Sequence, residues 1–186
     1  GKGGCIRRLL RAVDIRLSKV ISIAAPTQEE FSRHYLWRFW RQVPRAGFIS
    51  VFDRSWYGRV LVERVEGYIG QEEWFRAYDE INDFEKHLAE RGVMLIKFFL
   101  HISPEEQLKR FEQREEIPWK QHKITEEDYR NRDKTPEYTD AYNEMFFKTD
   151  TPCAPWIVIP ANDKKFARVE VLKTVKKTLE KSLRNL

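Results

Sequence analysis

Two short runs hold residue types suited to phosphate chemistry. The first is Gly1-Lys2-Gly3-Gly4, leading straight into Cys5-Ile6-Arg7-Arg8-Leu9. A lysine among glycines at a helix start gathers an ammonium and bare backbone N–H groups in one place. The helix dipole there favours an anion as well. The run matches the back half of a G-x-x-x-x-G-K-[ST] loop. The first glycine of that pattern, the four residues after it and the strand that feeds it would all precede Gly1. Gly3 stands where the Mg²⁺-binding hydroxyl residue would be. By itself, GKGG fits a flexible segment at least as well as a phosphate site.

The second run is Phe48-Ile49-Ser50-Val51-Phe52-Asp53-Arg54-Ser55-Trp56-Tyr57-Gly58-Arg59. An apolar strand ends in Asp then Arg, at the edge where α/β folds place ligands. An acid at that strand end can hold Mg²⁺ or its water shell, and Arg54 and Arg59 are suited to gripping phosphoryl oxygens bidentately. A surface ion pair, with Asp53 capping a following helix, explains the run equally well in isolation. With GKGG upstream, the phosphoryl-transfer reading is favoured.

Further basic residues surround these runs. Arg7 and Arg8 lie within two turns of the loop, while Arg11 fits a solvated face. In Arg33-His34-Tyr35-Leu36-Trp37-Arg38-Phe39-Trp40-Arg41 the aromatics read as core, with Trp37 and Trp40 at helical spacing and expected to pack inward. There is no Ser-His-Asp or Cys-His arrangement, and the four histidines are scattered without an H-x-x-x-H pair. Cys5 and Cys153 offer neither metal-ligand spacing nor a disulfide framework, so reduced thiols in the cytoplasm are expected. Lysines, arginines and one well-placed aspartate suit phosphoryl transfer by positioning and electrostatics.

These groups need a scaffold, and 186 residues with 41% hydrophobic content can bury one core. The net charge of +5 suits polyanionic substrates, yet no base-reading motif points to nucleic acid. No apolar run approaches the ~18–20 residues of a membrane span, and no signal-peptide core is visible. Apolar runs at Lys19 to Ala25, Phe48 to Asp53, Val93 to His101 and Trp156 to Pro160 predict parallel strands covered on both faces. Helices are expected over Gln28 to Gln42 (Thr27 and Glu30 forming a capping box), Glu73 to Arg91 (ending at Gly92), from Ser103-Pro104, and over Lys164 to Leu183. The alternation argues for an α/β layer fold whose first, central strand feeds the loop at Gly1. From about Arg114 to Lys148, two helices near Thr125 to Lys134 and Pro136 to Phe147 are expected to lack a broad core-facing stripe. They read either as a solvated hairpin or as a mobile lid.

GKGG-Cys-Ile-Arg-Arg-Leu, then HYLWR (His34 to Arg38) and FDRSWYGRVLVERVEG (Phe52 to Gly67), resemble the polyphosphate kinase 2 family. Lys120 through Asp128, Thr149 through Trp156 and Asn162-Asp163-Lys164 continue the likeness across the chain. The DRSWYGRVLVERVEG and KITEEDYRNR stretches look closest to the polyphosphate:AMP phosphotransferase branch, whose members often carry two fused copies of the domain. The resemblance implies a P-loop kinase-like three-layer fold with a helical lid, residues 1–186 forming one domain without its first strand. It implies Mg²⁺-dependent phosphoryl transfer between inorganic polyphosphate and AMP, ADP or ATP, by a homo-oligomer. It makes Lys2 the Walker A lysine and Asp53 the Walker B acid and metal ligand. It places Arg54 and Arg59 beside them, Gly1, Gly3, Gly4, Arg7 and Arg8 around the phosphates, and Lys120, Lys123 and Asp128 in the lid. The family's G-x-D acid would lie before Gly1, and His122 stands where many relatives have Trp. Two alternatives stay open: an ATP-dependent nucleoside monophosphate kinase similar to thymidylate kinase, and a non-catalytic domain that binds polyphosphate or nucleotides.

Overall fold

The structure, a computed structural model, describes residues 1–123 and 126–184, without the side chains of residues 120, 122, 123, 126–128 and 183. Strands β1 (Ser18–Ser22) and β2 (Ile49–Asp53) pair in parallel, Ser18 opposite Ile49 and Ser22 opposite Asp53. Strands β3 (Lys97–His101) and β4 (Trp156–Pro160) form a second parallel pair, Lys97 opposite Trp156. All four expected strands are present, three within their expected spans and β1 starting one residue earlier, at Ser18. Their faces are less covered than expected: every residue of β2 is only half-buried. The cause is a gap of about 1110 Å³ lined by β2 and β3, by α1 (Lys2–Leu10) and by α9 (Lys164–Leu183), with Val51, Leu100, Leu9 and Val175 among its walls.

Local chemistry explains the helix limits. Thr27 Oγ1 accepts from Glu30 N, and the Glu30 carboxylate accepts from Thr27 N at 2.8 Å, closing the expected capping box. The helix it starts does not run to Gln42. It is split into α2 (Gln28–Phe31) and α3 (Trp37–Trp40). Ser32 Oγ donates back to Glu29 O, and His34 Nδ1 accepts from Leu36 N, so side chains compete for the backbone between the pieces. Consequently Leu36 and Phe39 face the core, Trp40 is half exposed, and Trp37 is clasped by the Arg33 and Arg41 guanidinia at 4.5 and 4.7 Å. Trp40 still sets its ring edge-on against buried Phe84 at 4.7 Å, so the expected inward packing holds in part for Trp40 and is corrected for Trp37.

The short α4 (Val62–Val65) precedes α5 (Gln71–Glu90), which ends in a Schellman motif: Val93 N–H bonds Leu88 O, Gly92 N–H bonds Ala89 O, and Gly92 has φ +83°. Its buried face, Tyr78, Ile81, Phe84 and Leu88, forms the main core with Trp56, Tyr57 and Val60. Pro104 opens α6 (Pro104–Glu115), capped by Ser103, and α7 (Glu126–Asp133) packs against it through a Phe111–Tyr129 edge contact. Helix α8 (Thr135–Thr149) departs from expectation. Ala141, Met145 and Thr149 are fully buried at i, i+4 and i+8, and Tyr142 and Phe146 pack beside them on Phe99. The second helix of the expected lid is thus a core element. A second, smaller core joins Cys5 of α1 to Ile159 of β4 and Ala167 and Val171 of α9.

Candidate active site

Glycine at the first turn brings the two runs together. Gly1 O accepts from Gly4 N and Cys5 N, so the glycine segment is already the first turn of α1. A Cβ on Gly3 would meet nothing within 4 Å, leaving open space over that turn, whereas one on Gly4 would sit 2.8 Å from Arg168 Nε on α9. Buried Cys5 anchors the helix below, and burial pushes its thiol up, keeping it neutral. Lys2 Nζ reaches across to Asp53 Oδ1 at 3.0 Å. Asp53 ends β2, where Ile23 N–H takes its carbonyl.

Oδ1 of Asp53 is covered from solvent and has the Lys2 ammonium beside it, but makes no directed hydrogen bond among the described residues. A lone pair in that state is available to a hard cation. Mg²⁺ takes one or two carboxylates and completes its octahedron with water and substrate phosphate. Asp53 facing open space at a helix N-terminus fits that demand. No group of three or more His, Cys, Asp or Glu suited to a metal occurs among the described residues.

The other expected residues take different positions. Arg54 is exposed and has φ +67°, the left-handed region, alone among the non-glycine described residues. Arg59 is held inside the protein. Its guanidinium donates to Glu63 at 2.8 Å and Glu73 at 2.9 Å and lies over the Tyr35 ring. It clamps the 3₁₀ turn Trp56–Val60 to α4 and α5, and reaches a phosphate only after leaving one of those carboxylates. Arg7 and Arg8 are exposed in the last turn of α1, without ion pairs among the described residues. Of Lys120, Lys123 and Asp128, the side chains lie outside the described residues.

Arginines outside both motifs complete the surroundings. Beside Gly1 and Lys2 lies a recess of about 230 Å³, walled by Arg110, Arg114 and Gln107 of α6 and by Leu100. Arg110 is buried, bonds Glu106 and donates to the carbonyls of Ala161 and Asn162, tying α6 to the end of β4. No sequence motif marks Arg110, Arg114 or Arg168. A hint is the arginine spacing at 110 and 114, one helical turn apart on a helix leaving a strand end. Behind Asp53, Glu85 of α5 accepts from Trp56 Nε1 and Tyr57 Oη, and Lys97 of β3 donates to Tyr57 and Glu85. Burial, with the Glu85 carboxylate beside it, pushes the Tyr57 phenol up, so it stays protonated. Burial lowers the Lys97 ammonium, and Glu85 opposes that fall.

A glycine-started helix, a lysine on it and an aspartate at a neighbouring parallel strand end thus stand together in an α/β fold. The profile of the Polyphosphate kinase 2 (PPK2) family matches residues 1–185. The chain is 56% identical over 182 residues to a polyphosphate:AMP phosphotransferase of Pseudomonas syringae pv. tomato, covering 98% of this chain and 36% of that protein. It is 40% identical over 180 residues to an AMP/ADP-polyphosphate phosphotransferase of Meiothermus ruber, covering 97% and 67% respectively. The crystal structure of polyphosphate kinase 2 from Arthrobacter aurescens TC1 superimposes with a TM-score of 0.93 at 42% identity, over 97% of this chain and 64% of that one. The chain belongs to the polyphosphate kinase 2 family, and it spans about a third of the length of the Pseudomonas relative.

Proposed function

We propose that this chain carries the transfer site of a polyphosphate:nucleotide kinase, moving a phosphoryl group between inorganic polyphosphate and AMP or ADP. The observation that carries the reading is the 3.0 Å approach of Lys2 to Asp53 on a helix start where Gly3 faces open space, in a chain whose residues 1–185 match the family. The named substrates of the Pseudomonas and Meiothermus relatives support it.

The chain's own groups act by position and charge. The first N–H groups of α1 and the Lys2 ammonium receive phosphoryl oxygens, and the open side of Gly3 lets a phosphate approach the backbone. Asp53 would hold Mg²⁺, which when bound neutralises phosphate charge. As the phosphate enters, Lys2 turns from Asp53 toward the phosphoryl oxygens, where charge develops during a loose, in-line transfer. An AMP or ADP phosphate oxygen is already a competent nucleophile, so no strong base is required. Exposed Arg54 and the recess arginine Arg114 supply further positive charge. Arg7 and Arg8 extend a basic track for the rest of a polyanion, to which Lys120 and Lys123 add positive charge.

We also propose that residues 1–186 form one domain whose sheet is completed by an extended segment between β2 and β3, in the apolar gap. Each flanking strand is parallel to its own partner, and Lys2 and Asp53 are among the residues that line the gap. The free thiols of Cys5 and Cys153 agree with a cytoplasmic setting. Among the described residues, no helix is long and apolar enough to cross a membrane.

The test supplies the full chain with Mg²⁺ and long-chain polyphosphate, with AMP and ADP in separate reactions, and resolves the nucleotides. ADP from AMP, or ATP from ADP, supports the reading. Transfer with ATP as donor and none with polyphosphate would replace it with an ATP-dependent monophosphate kinase. No product with either donor, from folded protein, would replace it with a binding domain.

A further inference from the structure

A buried polar network lies behind the Asp53 turn, and none of its hydrogen bonds among the described residues reaches Lys2 or Asp53. Glu85 has no exposed surface, Lys97 is 6% exposed, and Thr149 is buried with them. Glu85 Oε1 accepts from Trp56 Nε1 at 3.0 Å and from Tyr57 Oη at 2.8 Å. Lys97 Nζ donates to Glu85 Oε2, Tyr57 Oη and Thr149 O at 2.8, 2.8 and 2.9 Å, using all three of its protons. One knot therefore ties β3, α5, the end of α8 and the 3₁₀ turn that follows β2.

Stability alone is a poor account of this knot. Taking a carboxylate and an ammonium out of water is costly, and well-packed apolar side chains of similar volume often serve as well. What apolar packing lacks is direction. Trp56 and Tyr57 are consecutive residues whose donors converge on one carboxylate oxygen, which fixes the rotation of their turn as well as its depth. Asp53 stands three residues before Trp56, and between them Arg54 holds a left-handed backbone. Such a conformation persists only where its surroundings over-determine it. On the far side, Arg59 is clamped by Glu63 and Glu73, so the segment from 53 to 59 is held at both ends.

We infer that Glu85 is a positioning residue for phosphoryl transfer, acting through Trp56 and Tyr57 to hold the turn that carries Asp53 and Arg54. Lys97 fixes the carboxylate in place as its counter-ion. The inference rests on the reading of Lys2 and Asp53 as the transfer site.

Two double variants of the full chain separate positioning from packing. E85L/K97M removes the charges and leaves Trp56 and Tyr57 without an acceptor. E85Q/K97M also removes the charges but keeps an amide oxygen where Oε1 stands. Displacing reacting groups by ~1 Å can cost on the order of 100-fold in rate. E85L/K97M is therefore expected to lose at least ~10-fold in kcat with KM for AMP nearly unchanged, while E85Q/K97M keeps kcat within about threefold of wild type. Equal kcat in the two folded variants would overturn the inference. Amide hydrogen exchange over residues 53–60 supplies a second readout, expected to be faster in E85L/K97M alone. If the wild-type chain transfers no phosphoryl group, the functional reading fails by itself, and equal exchange in the two variants then overturns the positioning role. Should E85L/K97M not fold, Tyr57→Phe takes its place, deleting one hydroxyl, and an unchanged kcat there counts against the inference.

Discussion

Lys2 and Asp53 meet because each lies at the end of a different element on the same edge. Both side chains keep solvent access, and the contact lacks hydrogen-bond direction, so little holds the pair closed against an incoming phosphate. Asp53→Asn should cut turnover at least ~10²-fold, the scale of losing one preorganised electrostatic element, as read by ADP formation from AMP. Wild-type turnover would remove Asp53 from the site. Arg54 allows a cleaner separation of charge from conformation. Arg54→Gly relieves the φ +67° strain and deletes the guanidinium, whereas Arg54→Ala deletes the guanidinium and keeps the strain. If the charge matters, both should lose activity alike, with Gly the more stable by about 0.5–1 kcal/mol in denaturant unfolding. At this scale the placement of Lys2 at a helix start and of Asp53 and Arg54 at a strand end was legible, because loops and strand ends announce their chemistry in consecutive residues. Arg110, Arg114 and Arg168 were not, since helices bring them in from positions where arginine is commonplace.

Elements set where those residues stand, and their end signals were the easiest part to read. The Thr27–Glu30 box, Pro104 after Ser103, and Gly92 closing α5 all behave as their residue types require. The continuous helix expected over Gln28 to Gln42 failed because Ser32 and His34 offer the backbone local partners that hydropathy spacing does not register. Helix α8 was misjudged for another reason. Its buried face sets large apolar Met145 and Phe146 among small Ala141 and the hydroxyl-bearing Tyr142 and Thr149, which dilute the apolar stripe. Met145→Ala should accordingly destabilise the fold by about 2–5 kcal/mol in urea unfolding; a cost below about 1 kcal/mol would return α8 to the solvated hairpin first expected. A pH effect belongs here too. The Glu73 carboxylate is held below the usual range, first by Gly70 N–H and also by Arg59. Asp163 is lowered likewise by Phe166 N–H and Lys165 N–H. Both contributions are complete above the ordinary carboxylate range and fade as pH falls through the lowered native values. Tm should fall with acidification through that window, and Glu73→Gln should show a shallower decline.

At the scale of the whole molecule, the sheet is two pairs of strands with a gap of about 1110 Å³ between them. The α/β alternation and the parallel pairing followed from the order of the elements, and so did the expectation of a further central strand. The gap's width and apolar walls could not be foreseen, because they arise from helices α1 and α9 meeting behind strands far apart in the chain. An apolar dye such as ANS should fluoresce strongly with a protein of residues 1–186 alone and weakly once an extended segment fills the gap. The facing edges of β2 and β3 also have a colloidal consequence. Among the described residues no strand covers either edge, so each offers a row of main-chain donors and acceptors flanked by apolar side chains, a template for pairing between molecules. Such edges make solubility a property of sheet closure: the same residues that seat a strand in one molecule would, left open, recruit strands from its neighbours.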